Sequence, residues 1–238
     1  MFLNAYLPLL SAIVSFAFAF FVLRRYAERK GAHLLLWGIG MIFYGIGGLM
    51  EGLYGLNGWN DLVFRNWYLF GAILVAAWLG QGTIFLLAKK NTARILMIVL
   101  LVASILAAYF VFTFPIEQPS AGMAELSGKV VYPDEGFSPR KTTPFFNIYG
   151  TLGLVGGAIY SAWIFFRKRV FLHRVLGNVL IAMGGLFPAF GGAFSRMGIE
   201  GALYMTEFLG AVIMFLGFLR ATTPMKSEAM QEATAAAD

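Results

Sequence analysis

The 238-residue chain contains no cysteine, and this absence excludes several kinds of site. Without a thiol the protein has no disulfide, no iron–sulfur cluster, no thiolate zinc site and no cysteine nucleophile. Histidine is also scarce, because His33 and His173 are the only two, and each stands beside basic residues at the beginning of an apolar run. A haem or metal site would need both side chains deeper in a membrane, with supporting partners. We therefore expect no metal and no cofactor.

Charged residues are also few. They make up 13% of the chain, against about 25% in soluble domains, while apolar residues reach 59% against about 45–50%. A soluble fold of this size could not bury so much apolar surface, so the composition indicates a membrane protein whose solvent is the lipid bilayer. Seven spans of about 20 residues would use about 140 residues, which leaves no room for a second catalytic domain.

Seven apolar runs are long enough to cross a bilayer as helices, and none shows the alternation of a lipid-facing barrel strand. Helices also satisfy their own backbone polar groups in lipid. We therefore predict an all-α integral membrane domain over residues 1–220, with residues 221–238 as a disordered tail. The first run precedes the first cations and is interpreted as a retained span rather than a signal peptide. The predicted spans, numbered 1 to 7, are 4–23, 33–53, 63–88, 93–114, 145–166, 174–194 and 202–220.

The basic residues predict the orientation. The segments after spans 1, 3 and 5 carry four, three and four cations, and the C-terminal tail carries two, so thirteen of the eighteen cations lie on one side. Basic loops stay in the cytoplasm, which places the N-terminus outside and the C-terminus inside. Because these cations lie in short clusters between apolar runs, we read the net charge of +6 as a topology signal and expect no nucleic-acid partner. We expect a prokaryotic plasma membrane.

Only one connection is long, the predicted external loop 115–144, which holds five of the eight prolines. A loop of about 30 residues exceeds a simple connection. It is either a lid or docking surface, or a partly ordered connector, and the sequence leaves both open.

The chain also carries signs of an internal repeat. An ungapped offset of 139 residues superposes spans 1 to 3 on spans 5 to 7, so residues 1–92 form a first three-helix unit and 145–220 a second, with 93–114 as the linking helix. Gly45 then falls on Gly184, and Gly71 falls on Gly210. Because a single helix separates the units, they have the same orientation, and the repeat is parallel, with a pseudo-two-fold axis along the membrane normal.

This 3+1+3 arrangement with an external N-terminus resembles that of the SWEET sugar transporters. The resemblance covers helix number and order only, without a family motif, and no residue is carried over from it. It implies a carrier with a site between the two units.

Glycine recurs every seven residues in spans 2 and 6, at Gly38, Gly45 and Gly52 and at Gly177, Gly184 and Gly191. A seven-residue period keeps one face toward a partner helix, and glycine lets the two backbones approach closely. The spacing predicts tight helix packing. The alternative is a sliding seam used in alternating access.

One ionisable residue lies clearly inside a span. Glu207, about two turns into span 7, shares a face with Gly210 and Met214, and such residues are functional candidates. Arg65, at the outer end of span 3, is the predicted counter-ion, and Tyr68 is the repeat mate of Glu207. A structural ion pair or a neutral carboxylic acid is the alternative. The outer-end charges Glu51, Asp61, Arg196 and Glu200 are interpreted as solvated span ends, and the alternative is a ring of charges around an external vestibule.

Weaker polar faces complete the candidate site. Span 3 aligns Trp67, Trp78 and Gln81, and span 5 contributes Asn147. Polar groups with tryptophan at the centre of a bundle can bind a sugar-like or aromatic solute. Interhelical hydrogen bonds and aromatic belts are the alternative.

The sequence leaves two classes of function open. Span 7 has no lysine for a retinal Schiff base, and no hydrolase, zinc-protease or nucleotide-binding motif occurs, so we expect no enzyme. One class is a small-solute carrier or ligand-binding protein with a site between the repeats. The other is an accessory, scaffold or sensor subunit that packs against another membrane protein or a second copy.

Overall fold

The computed structural model describes residues 2–119, 125–132, 138–168, 172–199 and 201–223. These residues form helices joined by turns, and no strand occurs within those ranges. Seven helices are long and apolar enough to cross a membrane, which confirms the predicted number of spans. The protein is therefore a polytopic helical membrane protein. Most of the predicted tail, residues 224–238, lies outside the described residues.

Five spans are single α-helices, and two are interrupted by a π-helical segment. Spans 1, 2, 4, 6 and 7 are Phe2–Arg29, Ala32–Asn57, Lys90–Thr113, Leu172–Arg196 and Ala202–Thr222. Span 3 runs through the α-helix Asp61–Asn66, the π-helix Trp67–Leu74 and the α-helix Val75–Leu87. Span 5 follows a 3₁₀ turn at Pro139–Lys141 and runs through Thr143–Thr151, the π-helix Leu152–Gly156 and Gly157–Arg167.

Six of the spans form a closed ring. Each packs against the next in the order 1, 2, 3, 5, 6, 7, and span 7 returns to span 1. Aromatic rings close this last contact, since Phe18 of span 1 lies 5.1 Å from Phe215 and 5.4 Å from Phe218 of span 7, measured between ring centroids. The ring encloses a central space between the helices.

Span 4 lies outside the ring and packs on span 3. Its buried residues, Leu100, Ser104, Ala107 and Val111, recur at helical spacing on one face. The opposite face is apolar and exposed, and Ile105 there is 68% exposed. In a membrane that face meets lipid.

The glycine stripe of span 2 packs against span 1. A Cβ atom on Gly45 would lie 2.6 Å from the ring of Phe16. Gly38 faces Leu23, seven residues after Phe16, and Gly52 faces Leu9, seven residues before it. Large side chains of span 1 thus fill the gaps left by the glycines, which is the tight packing predicted.

The stripe of span 6 packs against span 7 instead. A Cβ atom on Gly184 would lie 2.7 Å from the carbonyl oxygen of Gly210, and one on Gly177 would lie 2.5 Å from the backbone nitrogen of Ala221. Under the proposed repeat, span 6 corresponds to span 2, but span 7 corresponds to span 3 and not to span 1. The two stripes therefore face non-equivalent neighbours, and the duplication stays a prediction.

We call the end of the ring nearest the connection between spans 4 and 5 the loop end, and the opposite end the basic end. The described part of that connection packs tightly onto the loop end. Leu126, Val131 and Tyr132 are at most 3% exposed, and burial raises the pKa of the Tyr132 hydroxyl. The side chain of Glu125 accepts hydrogen bonds from Ser195 and from the backbone nitrogen of Gly201, which tie the loop to spans 6 and 7. Residues 125–132, which we call the loop cover, therefore lie over the loop end. Residues 120–124 and 133–137 lie outside the described residues.

Candidate ligand site in the ring

A cavity of about 310 Å³ lies inside the ring, lined by spans 2, 3, 5, 6 and 7. On span 7 its lining residues run from Leu203 to Met214, a rise of about 16 Å along a helix. The cavity thus extends from near the loop end toward the middle of the bundle. Its volume falls at the lower end of the range for small-molecule sites, about 300–1,000 Å³.

Glu51 of span 2 is the most deeply buried acidic group on the cavity, at 1% exposed. Trp67 of span 3 donates its indole Nε1–H to Oε1 of Glu51 at 2.8 Å. The second carboxyl oxygen, Oε2, is buried and has no donor among the described residues. The interpretation of Glu51 as a solvated span end is therefore wrong. Span 2 continues to Asn57 rather than ending at 53, so Glu51 lies nearly two turns inside the helix.

Glu207 of span 7 lies beside Glu51, close enough for a hydrogen bond between the two carboxyl groups. Both side chains line the cavity. Tyr44 of span 2 donates its hydroxyl to the backbone oxygen of Glu207 at 2.9 Å, and this bond fixes spans 2 and 7 relative to each other. A carboxylate is only an acceptor, so the hydrogen bond between two carboxyl groups requires a proton on one of them.

Within the described residues, no compensating cation accompanies this carboxyl pair. Neither carboxyl group forms an ion pair with a basic side chain in the part of the chain that the structure describes. The other titratable groups that interact with the pair are Tyr44, Glu125 and Tyr204, none of which carries a positive charge. Two adjacent carboxyl groups, of which Glu51 is buried and Glu207 is half-buried, cannot both be ionised without a compensating positive charge, so the site is acidic and holds at least one proton.

Arg65 does not serve as the predicted counter-ion of Glu207. Its guanidinium donates to the backbone oxygens of Val111 and Phe114, the latter at 3.0 Å. Those carbonyls belong to the last turn of span 4, where a helix has no internal donors left and where its dipole favours a cation. Arg65 thus attaches span 4 to span 3, and the ion pair with Glu207 is not formed.

Trp67 and Asn147 of the predicted site do line the cavity, whereas Tyr68 does not. The Tyr68 hydroxyl shares a hydrogen bond of 2.9 Å with Thr143 Oγ1 of span 5. A Cβ atom on Gly128 of the loop cover would lie 2.3 Å from the Tyr68 ring. Tyr68 therefore supports the loop end rather than the cavity wall.

Trp78 and Gln81 face neighbouring helices. Trp78 donates to Ser104 Oγ at 3.2 Å, and Gln81 donates to the backbone oxygen of Ala93 at 2.8 Å, so both bind span 3 to span 4. Gln81 also accepts a hydrogen bond from the Tyr149 hydroxyl of span 5. These contacts are the interhelical hydrogen bonds that the sequence left as the alternative.

Sequence reasoning thus finds one carboxyl group of the pair and misses its partner. Glu51 follows Gly47 and Gly48 at four and three residues, which gives it the same small helical face that marks Glu207 beside Gly210. That spacing is the signal that could have identified Glu51. The cavity lining from Thr143 and from Pro188 was also missed.

The site is that of a polytopic helical membrane protein with a central acidic cavity. No protein-family model, curated protein or solved structure matches the chain. The resemblance to the SWEET transporters in helix number and order is therefore not accompanied by a structural match. Among the described residues, no group of three or more histidine or acidic side chains is placed to hold a metal ion.

Proposed function

We propose that the protein binds a small solute in the central cavity and carries it across the membrane. The observation that supports this most directly is the pair of carboxyl groups on the wall of the cavity, the buried Glu51 and the half-buried Glu207. Ionisable side chains inside a membrane are costly and occur where a pathway or a binding site needs them. A chain that served only to pack against a partner protein would need neither the cavity nor the two acids on its wall.

The construction of the ring supports a carrier. The ring joins the units formed by spans 1–3 and by spans 5–7 at two places, between spans 3 and 5 and between spans 7 and 1, and the Tyr44 hydroxyl adds a hydrogen bond between spans 2 and 7. The cavity lies between the two units, as a carrier built from parallel repeats requires. The π-helical segments of spans 3 and 5 both contribute to its wall, through Ala72 and Leu154. Such segments occur often at functional sites.

The glycines between spans 3 and 5 support movement at one of these places. A Cβ atom on Gly80 would lie 2.6 Å from the backbone oxygen of Gly150, and one on Gly153 would lie 2.8 Å from the Cα atom of Gly80. No side chains interlock at these glycines, so the two backbones can shift along one another there at low cost. The proposed orientation, with the N-terminus outside, places the loop cover on the external side.

Filling the cavity tests this function. Phenylalanine at Ala72, on the cavity wall, should remove solute binding, whereas Ile105→Phe on the lipid face should retain it. The measurement is thermal unfolding in detergent with separate panels of small amines, polyols and carboxylates. A ligand at 100 times its dissociation constant stabilises the folded state by about 2.7 kcal/mol. We expect one panel to stabilise the wild type and Ile105→Phe but not Ala72→Phe.

Two results would contradict the proposal. One is the absence of stabilisation by every panel, and the other is equal stabilisation of Ala72→Phe and the wild type, which would place binding elsewhere. Counterflow of the stabilising solute in proteoliposomes then distinguishes a carrier from a protein that only binds.

A further inference from the structure

We infer that the solute is a small organic cation of the protonated-amine type, whose charge replaces a proton shared by Glu51 and Glu207. This inference rests on the proposed function and names its ligand class. Five sets of observations carry it: the charge of the pair, its unfilled acceptor, the aromatic groups beside it, the apolar remainder of the cavity and the other titratable groups nearby.

The charge of the pair requires one positive partner. The two carboxyl groups lie within hydrogen-bonding range of each other and have no basic side chain as a partner within the described residues. In the empty site a proton between them provides the compensation, because a carboxylate alone cannot donate. A ligand that brings its own positive charge can release that proton and take its place.

The pair also lacks donors. Glu51 Oε1 receives the indole N–H of Trp67, but apart from the proton shared with Glu207, Glu51 Oε2 receives no donor from the described residues. An ammonium group carries up to three N–H donors and forms short, charge-assisted hydrogen bonds with carboxylates. An anionic solute would add a second negative charge to the singly protonated pair, and a neutral one would leave the proton in place.

Two aromatic side chains line the cavity beside the carboxyl pair. Trp67, which holds Glu51, and Tyr44, which holds span 7 at Glu207, both line the cavity. The face of an aromatic ring attracts a cation within about 6 Å, by about 2 kcal/mol or more where water is excluded. The acidic end of the cavity thus combines two features that favour an ammonium group.

The rest of the cavity fits an organic body rather than a bare metal ion. Away from the carboxyl pair its wall includes Leu79, Leu154 and Met214, each at most 8% exposed. A calcium ion would need six to eight oxygen ligands, and a wall of this kind does not supply them. Asn147 and Thr151 offer a small number of polar contacts on span 5.

Among the described residues, no other titratable group near the pair can supply a positive charge. Tyr44 on span 2, Tyr204 on span 7 and Glu125 on the loop cover are the groups that interact with the pair. Spans 3, 5 and 6 contribute no titratable side chain to the cavity wall within the described ranges. The acidic Glu125 side chain adds to the attraction for a cation at the loop end.

The test compares three matched probes on the full chain in lipid nanodiscs: phenethylammonium, 2-phenylethanol and phenylacetate. We expect phenethylammonium to bind at least about tenfold more tightly than either other probe, a difference of about 1.4 kcal/mol. Binding should release protons, detected with a pH-sensitive dye. The affinity should rise with pH while the amine stays protonated, because fewer protons then compete for the carboxyl groups.

Matched variants locate the effect. Glu51→Gln and Glu207→Gln should each reduce phenethylammonium affinity at least about tenfold, whereas Glu28→Gln, the same change at a side chain 62% exposed, should leave it unchanged. The wild-type comparison of the three probes needs no variant, so it decides the matter even if a substitution impairs folding.

The outcomes separate the two proposals. If 2-phenylethanol or phenylacetate binds as tightly as phenethylammonium, the inference of a cationic solute is wrong, whereas the proposal that a solute binds in the cavity stands. The inference of a cationic solute is also wrong if the polyol or carboxylate panel stabilises the protein and the amine panel does not. If no solute in any assay binds, both proposals fail. Cation binding without proton release, and independent of pH, would overturn the exchange.

Discussion

The carboxyl groups of Glu51 and Glu207 show that the surroundings of a residue in the fold carry information that its position in the sequence does not. Glu207 stands out in the sequence because span 7 is otherwise apolar around it, and the structure places it on the cavity. Glu51 lies close to a predicted span end, and apolarity alone cannot tell that the helix continues past residue 53 to Asn57. That the two acids meet depends on the packing of spans 2 and 7, which are far apart in the chain, so no local pattern could predict the pair.

Arg65 allows a direct test of its role at the end of span 4. Removing its hydrogen bonds to the carbonyls of Val111 and Phe114 by Arg65→Gln should lower the free energy of unfolding by about 1.5–3 kcal/mol. Denaturant unfolding in detergent measures this. Arg24→Gln, which breaks an exposed pair with Glu28, is the control and should change stability by less than about 1 kcal/mol.

The same substitution distinguishes the two roles considered for Arg65. Because the structure separates Arg65 from Glu207, the effects of Arg65→Gln and Glu207→Gln on stability should add in the double variant. Recovery of stability in the double variant would show that the two side chains form an ion pair.

At the scale of the helices, the contact between spans 3 and 5 depends on glycine. A Cβ atom on Gly150 would lie 2.1 Å from the carbonyl carbon of Ala76, whereas one on Gly156 would meet nothing within 4 Å. Gly150→Ala should therefore force the helices apart and destabilise the protein by about 1–3 kcal/mol or more. Gly156→Ala should be neutral or stabilising by about 0.5–1 kcal/mol, since alanine favours a helix. Thermal unfolding of the two variants, six residues apart on one span, measures the difference, and equal effects would contradict the close contact.

The spans themselves were predictable, but their internal irregularities were not. Apolar runs set the number and approximate bounds of the helices because lipid imposes both length and composition. The π-helical segments Trp67–Leu74 and Leu152–Gly156 have the same apolar composition as the α-helices around them. Composition therefore does not reveal them.

For the whole molecule, the orientation remains a prediction with a simple measurement. The chain has no native cysteine, so single cysteines can be labelled with a membrane-impermeant maleimide in intact cells. Val130→Cys, at an exposed site on the loop cover, should react from outside. Lys168→Cys, at an exposed site on the basic end, should react only after the membrane is opened. The opposite pattern would reverse the membrane sides assigned from the basic loops.

The arrangement of the units was predictable only in outline. The offset of 139 residues predicts two equivalent units, and a ring that joins span 3 to span 5 and span 7 to span 1 agrees with that arrangement. The glycine stripe of span 2, however, faces span 1, while that of span 6 faces span 7. A seven-residue period predicts that one face of a helix is buried, but it does not identify the neighbouring helix that buries this face. The sequence therefore could not predict that the two stripes face different neighbours.

The contact between Phe18 of span 1 and Phe215 of span 7 has a consequence for biosynthesis. Roughly 200 residues of polypeptide separate the two partners, and a ribosome adds about 5–20 residues per second, so the first helix waits about 10–40 s for the helix that covers it. During that interval the wall that Glu51 will face is missing, and its carboxyl group is open to lipid, water or the insertion machinery. A protein interrupted before span 7 would display an unmatched acid within the bilayer, a feature by which a membrane protease could distinguish unfinished chains from finished ones.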